Sequence, residues 1–348
     1  MQLFNQIIDY GLKIKTSDIH LGVGCQPVIR RDGKISFISD FPALTEEQMS
    51  EIIKQMANDK QYAKLQDGFE VDLGFSYQDK ARFRVNIYKE TRGFNAALRY
   101  LSDTVPSLDD LGLPKTLKDL VGRPYGLILV TGPTGSGKTT TLAAMIDHIN
   151  QTTNQHIITI EDPIEYLHQN KQCLIKQREI GEDEDSKSFP NALRAALRED
   201  PDVILVGEMR DFDTIALAIT AAETGHLVLS SLHTNNTYQA LNRIIDAFPV
   251  EHHVQIRSQL QQNLVGVVAQ RLIPKRGGGR VAALEILINN NTIKAQIKDN
   301  KLQAIADTIR SSRNEGMILL EDYIKKLISD EIITMEAAQR FLASQAAY

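Results

Sequence analysis

The feature that most narrows what this chain can become is the octapeptide Gly132-Pro133-Thr134-Gly135-Ser136-Gly137-Lys138-Thr139. It satisfies G-x-x-x-x-G-K-[ST], a pattern whose chemistry requires a tight turn from a strand end into a helix N-terminus. The flanks comply. Gly126–Thr131 is an apolar run of strand length, and a helix is predicted from the loop to about Asn150. Glycines let successive backbone N–H groups turn inward around phosphate oxygens, and the helix N-terminus adds its partial positive charge. Lys138 is placed to reach the β and γ phosphates, and Thr139 to offer its hydroxyl to Mg²⁺. The loop residues Gly132 to Gly137, with Lys138, Thr139 and Thr140, are the candidate nucleotide ligands. ATP and Mg²⁺ are the expected cofactors; the absence of an N-K-x-D base-reading motif speaks against a GTP switch, and that of an L-S-G-G-Q motif against an ABC-type ATPase.

Composition removes other classes. At 348 residues the chain is too long for one ordinary domain and sits at two. Its 42% apolar and 24% charged residues, with 21 Gly and 11 Pro, are those of a globular protein rather than a disordered or fibrous one. Lys and Arg total 39 against 44 Asp and Glu, a formal charge of -5, so no overall basic field exists to hold a polyanion and nucleic acid is not the expected partner. Cys25 and Cys173 are far apart and build neither a disulfide framework nor a Cys-rich zinc site, which fits a reducing cytosol. No apolar run approaches the ~18 residues of a membrane span. Asn5, Gln6 and Asp9 interrupt the N-terminal segment where a secretory signal needs an unbroken apolar core. No transmembrane segment is expected.

Along the chain the grammar changes once. Residues 1–100 read as a small α+β domain: a helix with Leu3, Phe4, Ile7 and Ile8 on one face, strand-like pieces around an Asp32-Gly33 turn, and a helix opened by a Thr45/Gln48 capping box that runs to about Ala57. Glu70–Tyr77, Ala81–Lys89 and Phe94–Tyr100 follow as antiparallel strands joined by turns at Gln78-Asp79-Lys80 and Arg92-Gly93. Pro106 and Pro114 flank an acidic stretch that reads as a linker over 101–113. Beyond it, apolar strands (Gly126–Thr131, His156–Ile160, Val203–Val206, His226–Leu232) alternate with helices, one from about Phe189 and one ending at Gly225. That is the pattern of a parallel sheet covered on both faces over 114–288. After the Gly277-Gly278-Gly279 break come one strand, Val281–Leu287, and helices over 289–348. The acidic stretch Gly181-Glu182-Asp183-Glu184-Asp185-Ser186 reads as a solvated loop.

Val203–Val206 ends in Gly207-Glu208, a carboxylate just past a buried strand, placed for contact with Mg²⁺ or with the attacking water. Ile160–Glu165 sets Glu161, Asp162 and Glu165 after another strand, at the carboxyl edge where α/β sheets bind ligands, although an Asp-Pro turn with solvated acids gives the same pattern. His226 and His233 bracket a strand seven residues apart, so alternation sends them to opposite faces and they do not share one metal. Each reads either as an ordinary satisfied His or as a group near the γ phosphate. Arg82, Arg84, Arg92 and Arg99 cluster in the first domain; alternation puts Arg82 and Arg84 on one face, which is either a solvated basic surface or a pair of guanidinium groups reaching a nucleotide across a domain or subunit boundary.

With these residues in view, the run from Leu197-Arg198-Glu199-Asp200-Pro201-Asp202 through Gly207-Glu208-Met209-Arg210-Asp211 resembles the signature of the secretion ATPase superfamily, the motors of type II secretion and type IV pili. Ile160–Glu165 is similar to its acidic box, and Thr224-Gly225-His226 through Leu232-His233-Thr234 to its histidine box. Ser17-Asp18-Ile19-His20-Leu21 and Arg82-Phe83-Arg84-Val85-Asn86 extend the resemblance into the first domain. Within the superfamily the chain looks like the PilT-like pilus retraction ATPases, because it has no tetracysteine module and no room for the extra domain of extension motors. The resemblance implies an α/β protein: a PAS-like N-terminal α+β domain, then a RecA-like P-loop ATPase domain with a C-terminal helical region. It implies a homohexamer, ATP between domains, and retraction of type IV pili at an inner-membrane platform protein, with a partner pilus ATPase as a further implied partner. The site is then Lys138 and Thr139 at phosphate and Mg²⁺, Glu208 at metal and water, Glu165 as second carboxylate, His226 and His233 from the histidine box, and Arg84 and Arg99 as inter-subunit arginines, with Arg82 and Arg92 as lesser candidates. The implied location is cytoplasmic, at the inner face of the membrane. A RecA-like nucleic-acid remodeller and an accessory pilus ATPase are the alternatives.

One stretch departs from the family. Where PilT-like proteins carry A-I-R-N-L-I-R-E, this chain has Thr292-Ile293-Lys294-Ala295-Gln296-Ile297-Lys298-Asp299. Ile293 and Ile297, at i and i+4, are expected to pack inward, with Lys294, Lys298 and Asp299 outward and Ala295 and Gln296 as a mild exposed pair between them.

Overall fold

Residues 2–31, 34–78, 80–101, 104–181 and 185–346 are described by the computed structural model. The Asp32-Gly33 turn, Asp79 of the next turn, positions 102 and 103 of the expected linker and Glu182 to Glu184 of the acidic stretch lie outside the described residues. The chain divides into two units, Met1–Thr104 and Val105–Tyr348.

The first unit runs α1 (Gln2–Lys13), β1 (Asp18–Gly22), β2 (Val28–Arg31), β3 (Lys34–Phe37), α2 (Glu46–Met56), α3 (Asp59–Gln66), β4 (Val71–Tyr77), β5 (Ala81–Glu90) and β6 (Gly93–Leu101). The six strands form one antiparallel sheet in the order β3-β2-β1-β6-β5-β4. Alternation sorts its faces: Ala81, Phe83, Val85 and Ile87 of β5 are buried against Phe4, Ile7 and Ile8 of α1 and Ile52 and Ile53 of α2, while Arg82 and Arg84 take the other face. The Thr45/Gln48 capping box opens α2 as expected, with both reciprocal bonds made. A second capping box, Asn58 with Gln61, opens α3, a helix the sequence reading missed although the same signature was present.

The second unit comprises α4 (Thr116–Val121), β7 (Gly126–Thr131), α5 (Lys138–Thr152), β8 (His156–Glu161), β9 (Leu174–Glu179), α6 (Phe189–Ala196), β10 (Val203–Val206), α7 (Phe212–Glu223), β11 (Leu227–Leu232), α8 (Thr237–Asp246), α9 (His253–Asn263), β12 (Leu264–Pro274), β13 (Arg280–Ile288), α10 (Asn291–Lys298), α11 (Ile305–Ser311), α12 (Leu320–Ser329) and α13 (Met335–Ala346). Its sheet has the order β13-β12-β7-β11-β10-β8-β9. All strands but one are parallel; β13 returns antiparallel beside β12 as an edge strand. Helices cover both faces, α6 to α11 on one core and α4, α5, α12 and α13 on the other. This is the RecA-like arrangement with a helical C-terminal region. Because β7 is followed in sequence by β8, three places along the sheet, the loop after β7 opens into a crevice at the carboxyl edge.

Two expectations change. The stretch read as a linker belongs, from Val105 on, to the second unit: Leu108 and Leu113 are buried in its core with Leu117 and Leu120, so apolar spacing outweighs the Pro and Asp punctuation. In α10, Ile293 and Ile297 are fully buried, as their i, i+4 spacing demands. Gln296, however, is not an exposed residue. It is half-buried, and its Nε2 donates to Thr308 Oγ1 at 2.9 Å and to Ala304 O at 3.3 Å, tying α10 to α11.

Candidate nucleotide site

The crevice after β7 is lined by backbone. The Lys138 side chain is buried and its ammonium lies on the loop, donating to Gly132 O at 3.0 Å and Pro133 O at 3.1 Å. Burial depresses its pKa, an effect opposed chiefly by the negative charge of Glu208 and reinforced by Arg271. A cation held partly desolvated next to carboxylates is ready to exchange those carbonyls for phosphate oxygens.

Glu208 stands two residues past the end of β10, its side chain 13% exposed. Arg210 Nη2 is 2.5 Å from one carboxylate oxygen and His233 Nε2 is 3.5 Å from the other. Gly207 makes this placement possible: its N–H donates to Ile160 O at 2.8 Å, and a Cβ there would sit 3.2 Å from that same oxygen, so any side chain would push the Glu208 turn off β8. The His233 pKa is lowered, first by burial and next by the Lys138 charge, so the imidazole is neutral at neutral pH and meets Glu208 as a dipole rather than as a cation. Thr131, the last residue of β7, accepts from Thr234 N–H at 3.0 Å and contacts the Thr234 hydroxyl at 2.5 Å, which fastens the histidine turn to the root of the phosphate loop.

The acidic segment after β8 closes the other side. Glu165 is half-buried and close enough to attract Lys138 and to repel Glu161. Glu161 is buried, accepts from Thr159 Oγ1 at 2.7 Å and from Gln177 Nε2 at 3.3 Å, and is pushed up to about 7, mainly by burial. Tyr166 bridges back: its hydroxyl is 3.0 Å from Thr140 Oγ1, and its carbonyl accepts from Gln177 Nε2 at 2.9 Å. Tyr166 and Gln177 were missed from sequence. No spacing rule flags a residue that acts by joining two segments 26 positions apart.

The structure thus gathers Lys138, Thr139, Thr140, Glu165, Glu208 and His233 at one sheet edge. It does not bring His226 there. Because His226 and His233 bracket a strand, they stand at its opposite ends, roughly 20 Å apart along β11, and His226 Nδ1 is 2.9 Å from Ala221 O and 3.2 Å from Thr224 Oγ1. His226, expected among the nucleotide contacts, thus stands at the other end of β11 from the phosphate loop of its own chain. Arg84 and Arg99 lie in the first unit as directly opposed partners of β5 and β6, both exposed, with Arg99 Nε 3.0 Å from Asp18 Oδ1. The neighbour of Arg84 across the sheet is therefore Arg99, while Arg82 faces Leu101.

A strand-to-helix phosphate loop on a RecA-like sheet, with a carboxylate past the neighbouring strand, defines a P-loop ATPase. The sequence profile of the Type II/IV secretion system proteins matches residues 1–277, and the chain belongs to that family. It is similar to the type IV pilus retraction ATPase PilT of Pseudomonas aeruginosa, 44% identical over 334 residues that cover 96% of each chain. It is 45% identical over 317 residues to a twitching motility protein of Neisseria gonorrhoeae, covering 91% of this chain and 84% of that one. The crystal structure of the pilus retraction motor PilT with bound ADP superposes with a TM-score of 0.90 at 46% identity, over 97% of this chain and 96% of that chain. This chain is an ATPase and binds nucleotide.

Proposed function

We propose that this ATPase is a mechanical motor: six copies form a ring that hydrolyses ATP to drive retraction of type IV pili against an inner-membrane platform protein. The observation that carries this reading is that likeness to the retraction ATPases runs the length of both chains, first unit included. A merely shared ATPase core would leave the first unit unmatched. Among the described residues no helix is long and apolar enough to cross a membrane. In the proposed arrangement the motor lies at the inner face of the cytoplasmic membrane.

In this reading the backbone N–H groups from Gly132 to Thr140 hold the ATP phosphates and Lys138 neutralises the transferring group. Mg²⁺ fits the donors present. The Thr139 hydroxyl and the Glu208 carboxylate are hard oxygen ligands, and no cluster of three or more His, Cys, Asp or Glu that would make an all-protein cage exists among the described residues, as suits an ion that shares its shell with phosphates and water. When bound, Mg²⁺ supplies charge that stabilises the phosphates. Glu208 orients and deprotonates the attacking water, and neutral His233 beside it donates to the same carboxylate in the tautomer that carries its proton on Nε2. Glu165 is the second carboxylate. Arg84 and Arg99, side by side, reach the γ phosphate of the neighbouring subunit.

Deletion in a piliated host tests the function. Extended pili that no longer retract are the expected result. Retraction at normal speed and force in the deletion strain overturns it, while retraction that persists only as long as a second motor is present assigns an accessory role.

A further inference from the structure

The phosphate loop is braced from behind by a strand that no motif marks. β12 runs parallel to β7 with Ala269 paired to Thr131, so Gln270 stands level with the start of the loop, 2% exposed. Both ends of its amide are engaged. Nε2 donates to the carbonyl of Ser136 at 2.8 Å, and Oε1 accepts from the Thr141 hydroxyl at 2.7 Å. The Gln270 backbone is itself pinned, its carbonyl accepting from Arg271 Nη1 at 3.1 Å, while Arg271 Nη2 donates to Asn235 O at 2.8 Å and to Asn235 Oδ1 at 2.9 Å, beyond the histidine turn.

The Ser136 bond has a directional consequence. In a planar trans peptide the C=O and N–H point to opposite sides. Drawing Ser136 O against β12 turns the Gly137 N–H the other way, onto the concave side where loops of this kind meet phosphate oxygens. Gly137 accepts the left-handed φ of +85° this demands, and a Cβ at that position would lie 2.9 Å from Gln270 Nε2, so the loop rests on the amide without slack. If the same peptide were flipped, it would aim a carbonyl dipole at the phosphates. The Ser136 carbonyl can only accept, so Nε2 is the end of the amide that faces it, and Oε1 is left to accept from the Thr141 hydroxyl, which holds the amide in place.

We infer that Gln270 is a positioning residue for nucleotide binding, locking the Ser136–Gly137 peptide with its N–H toward the phosphates. The inference rests on the reading that this loop holds the phosphates of ATP. The test uses the purified full-length chain, a fluorescent ADP analogue with Mg²⁺, ATP turnover, and thermal unfolding without nucleotide. Gln270→Met keeps side-chain length and volume but removes both hydrogen bonds. It is expected to weaken ADP about ten-fold, with the loss in turnover falling on KM for ATP more than on kcat, and with unfolding shifted only a few degrees. Thr141→Val, which leaves Oε1 without its donor and loosens the amide, is expected to weaken ADP about three-fold, and Thr141→Ser to restore native binding. A folded Gln270→Met that binds ADP within two-fold of the native chain, whatever its melting point, overturns the inference. Should that variant fail to fold, equal affinity of Thr141→Val and Thr141→Ser overturns it instead. If Lys138→Ala binds the analogue as the native chain does, the phosphate-loop reading itself has failed, an outcome separate from either of these.

Discussion

In the proposed mechanism Lys138 and Glu208 divide the chemistry between binding charge and proton transfer, and single substitutions separate them. Lys138→Ala is expected to abolish phosphate release by removing the charge that neutralises the transferring group. Glu208→Gln should still bind ATP but hydrolyse it at least ~10²-fold more slowly. Near-native turnover by Glu208→Gln would move the base role to Glu165. Glu161 gives a different kind of prediction, because burial pushes its carboxyl up from the ordinary 4.5 to about 7. Between those values the folded chain holds a proton that the unfolded chain has released. Stability therefore falls as pH rises from about 4.5 to about 7 and is level above. Glu161→Gln keeps an acceptor for Thr159 and Gln177 but has no charge to desolvate, so its urea-unfolding stability should drop less than the native chain's between pH 5 and pH 8, by a few kcal/mol on the order-of-magnitude scale of such shifts. Identical pH slopes would show that Glu161 ionises freely in the folded state. Glu208 and Glu165 were legible from their places after apolar strands. Tyr166, Gln177 and Gln270 were not, since each owes its role to a partner far away in sequence.

Among the elements, α10 shows how far periodicity carries. The i, i+4 rule placed Ile293 and Ile297 in the core, where each contributes roughly 1.5–3 kcal/mol by burial. It did not place Gln296, because a position on the flank of a helix is inside or outside according to what packs there, and α11 packs there. Gln296 keeps one amide arm bonded to Thr308 and Ala304, but its Oε1 is buried with no hydrogen-bond partner. Thr308 Oγ1 has a second, longer contact of its own, to Ala304 O at 3.5 Å. Gln296→Leu removes the unpaired oxygen together with a modest bond, and the two effects are of similar size, about 1 kcal/mol each. The variant should melt within about 4 °C of the native chain, on either side. A larger fall, measured by calorimetry, would show that the Thr308 bond is the main link between α10 and α11. Adding Ala295→Asn, on the exposed side of the helix, should change neither the melting point nor ATP turnover by more than about two-fold in rate, and any effect on twitching would then belong to a partner contact.

At the scale of the whole molecule, the proposed mechanism joins the arginines of the first unit and the carboxylates of the second into one catalytic set shared between subunits. Arg84→Ala and Arg99→Ala should each lose turnover when pure, with little loss of ADP affinity. Mixed with Glu208→Gln subunits, either should regain part of it, because some sites then join a native arginine to a native Glu208. Failure to regain any activity, in rings shown by tandem affinity tags to be mixed, places those arginines within their own subunit or makes them structural. The local sequence alone determined the phosphate loop, the strands β7, β8, β10 and β11 with the helices α5, α6 and α7 between them, the capping box of α2 and the alternation of β5, though not β9, α8, α9 or β12; each of those found depends on residues within a turn or two of one another, where sterics and periodicity act directly. Tertiary structure alone decided the rest. It put β12 behind the loop, turned β13 antiparallel at the edge, drew Leu108 and Leu113 into the core, sent His226 to the far end of its strand from the nucleotide edge, and set Arg99 opposite Arg84. Strand order, register and helix docking are choices among long-range pairings of nearly equal local propensity, settled by which arrangement buries the most apolar surface while leaving the fewest polar groups unpaired.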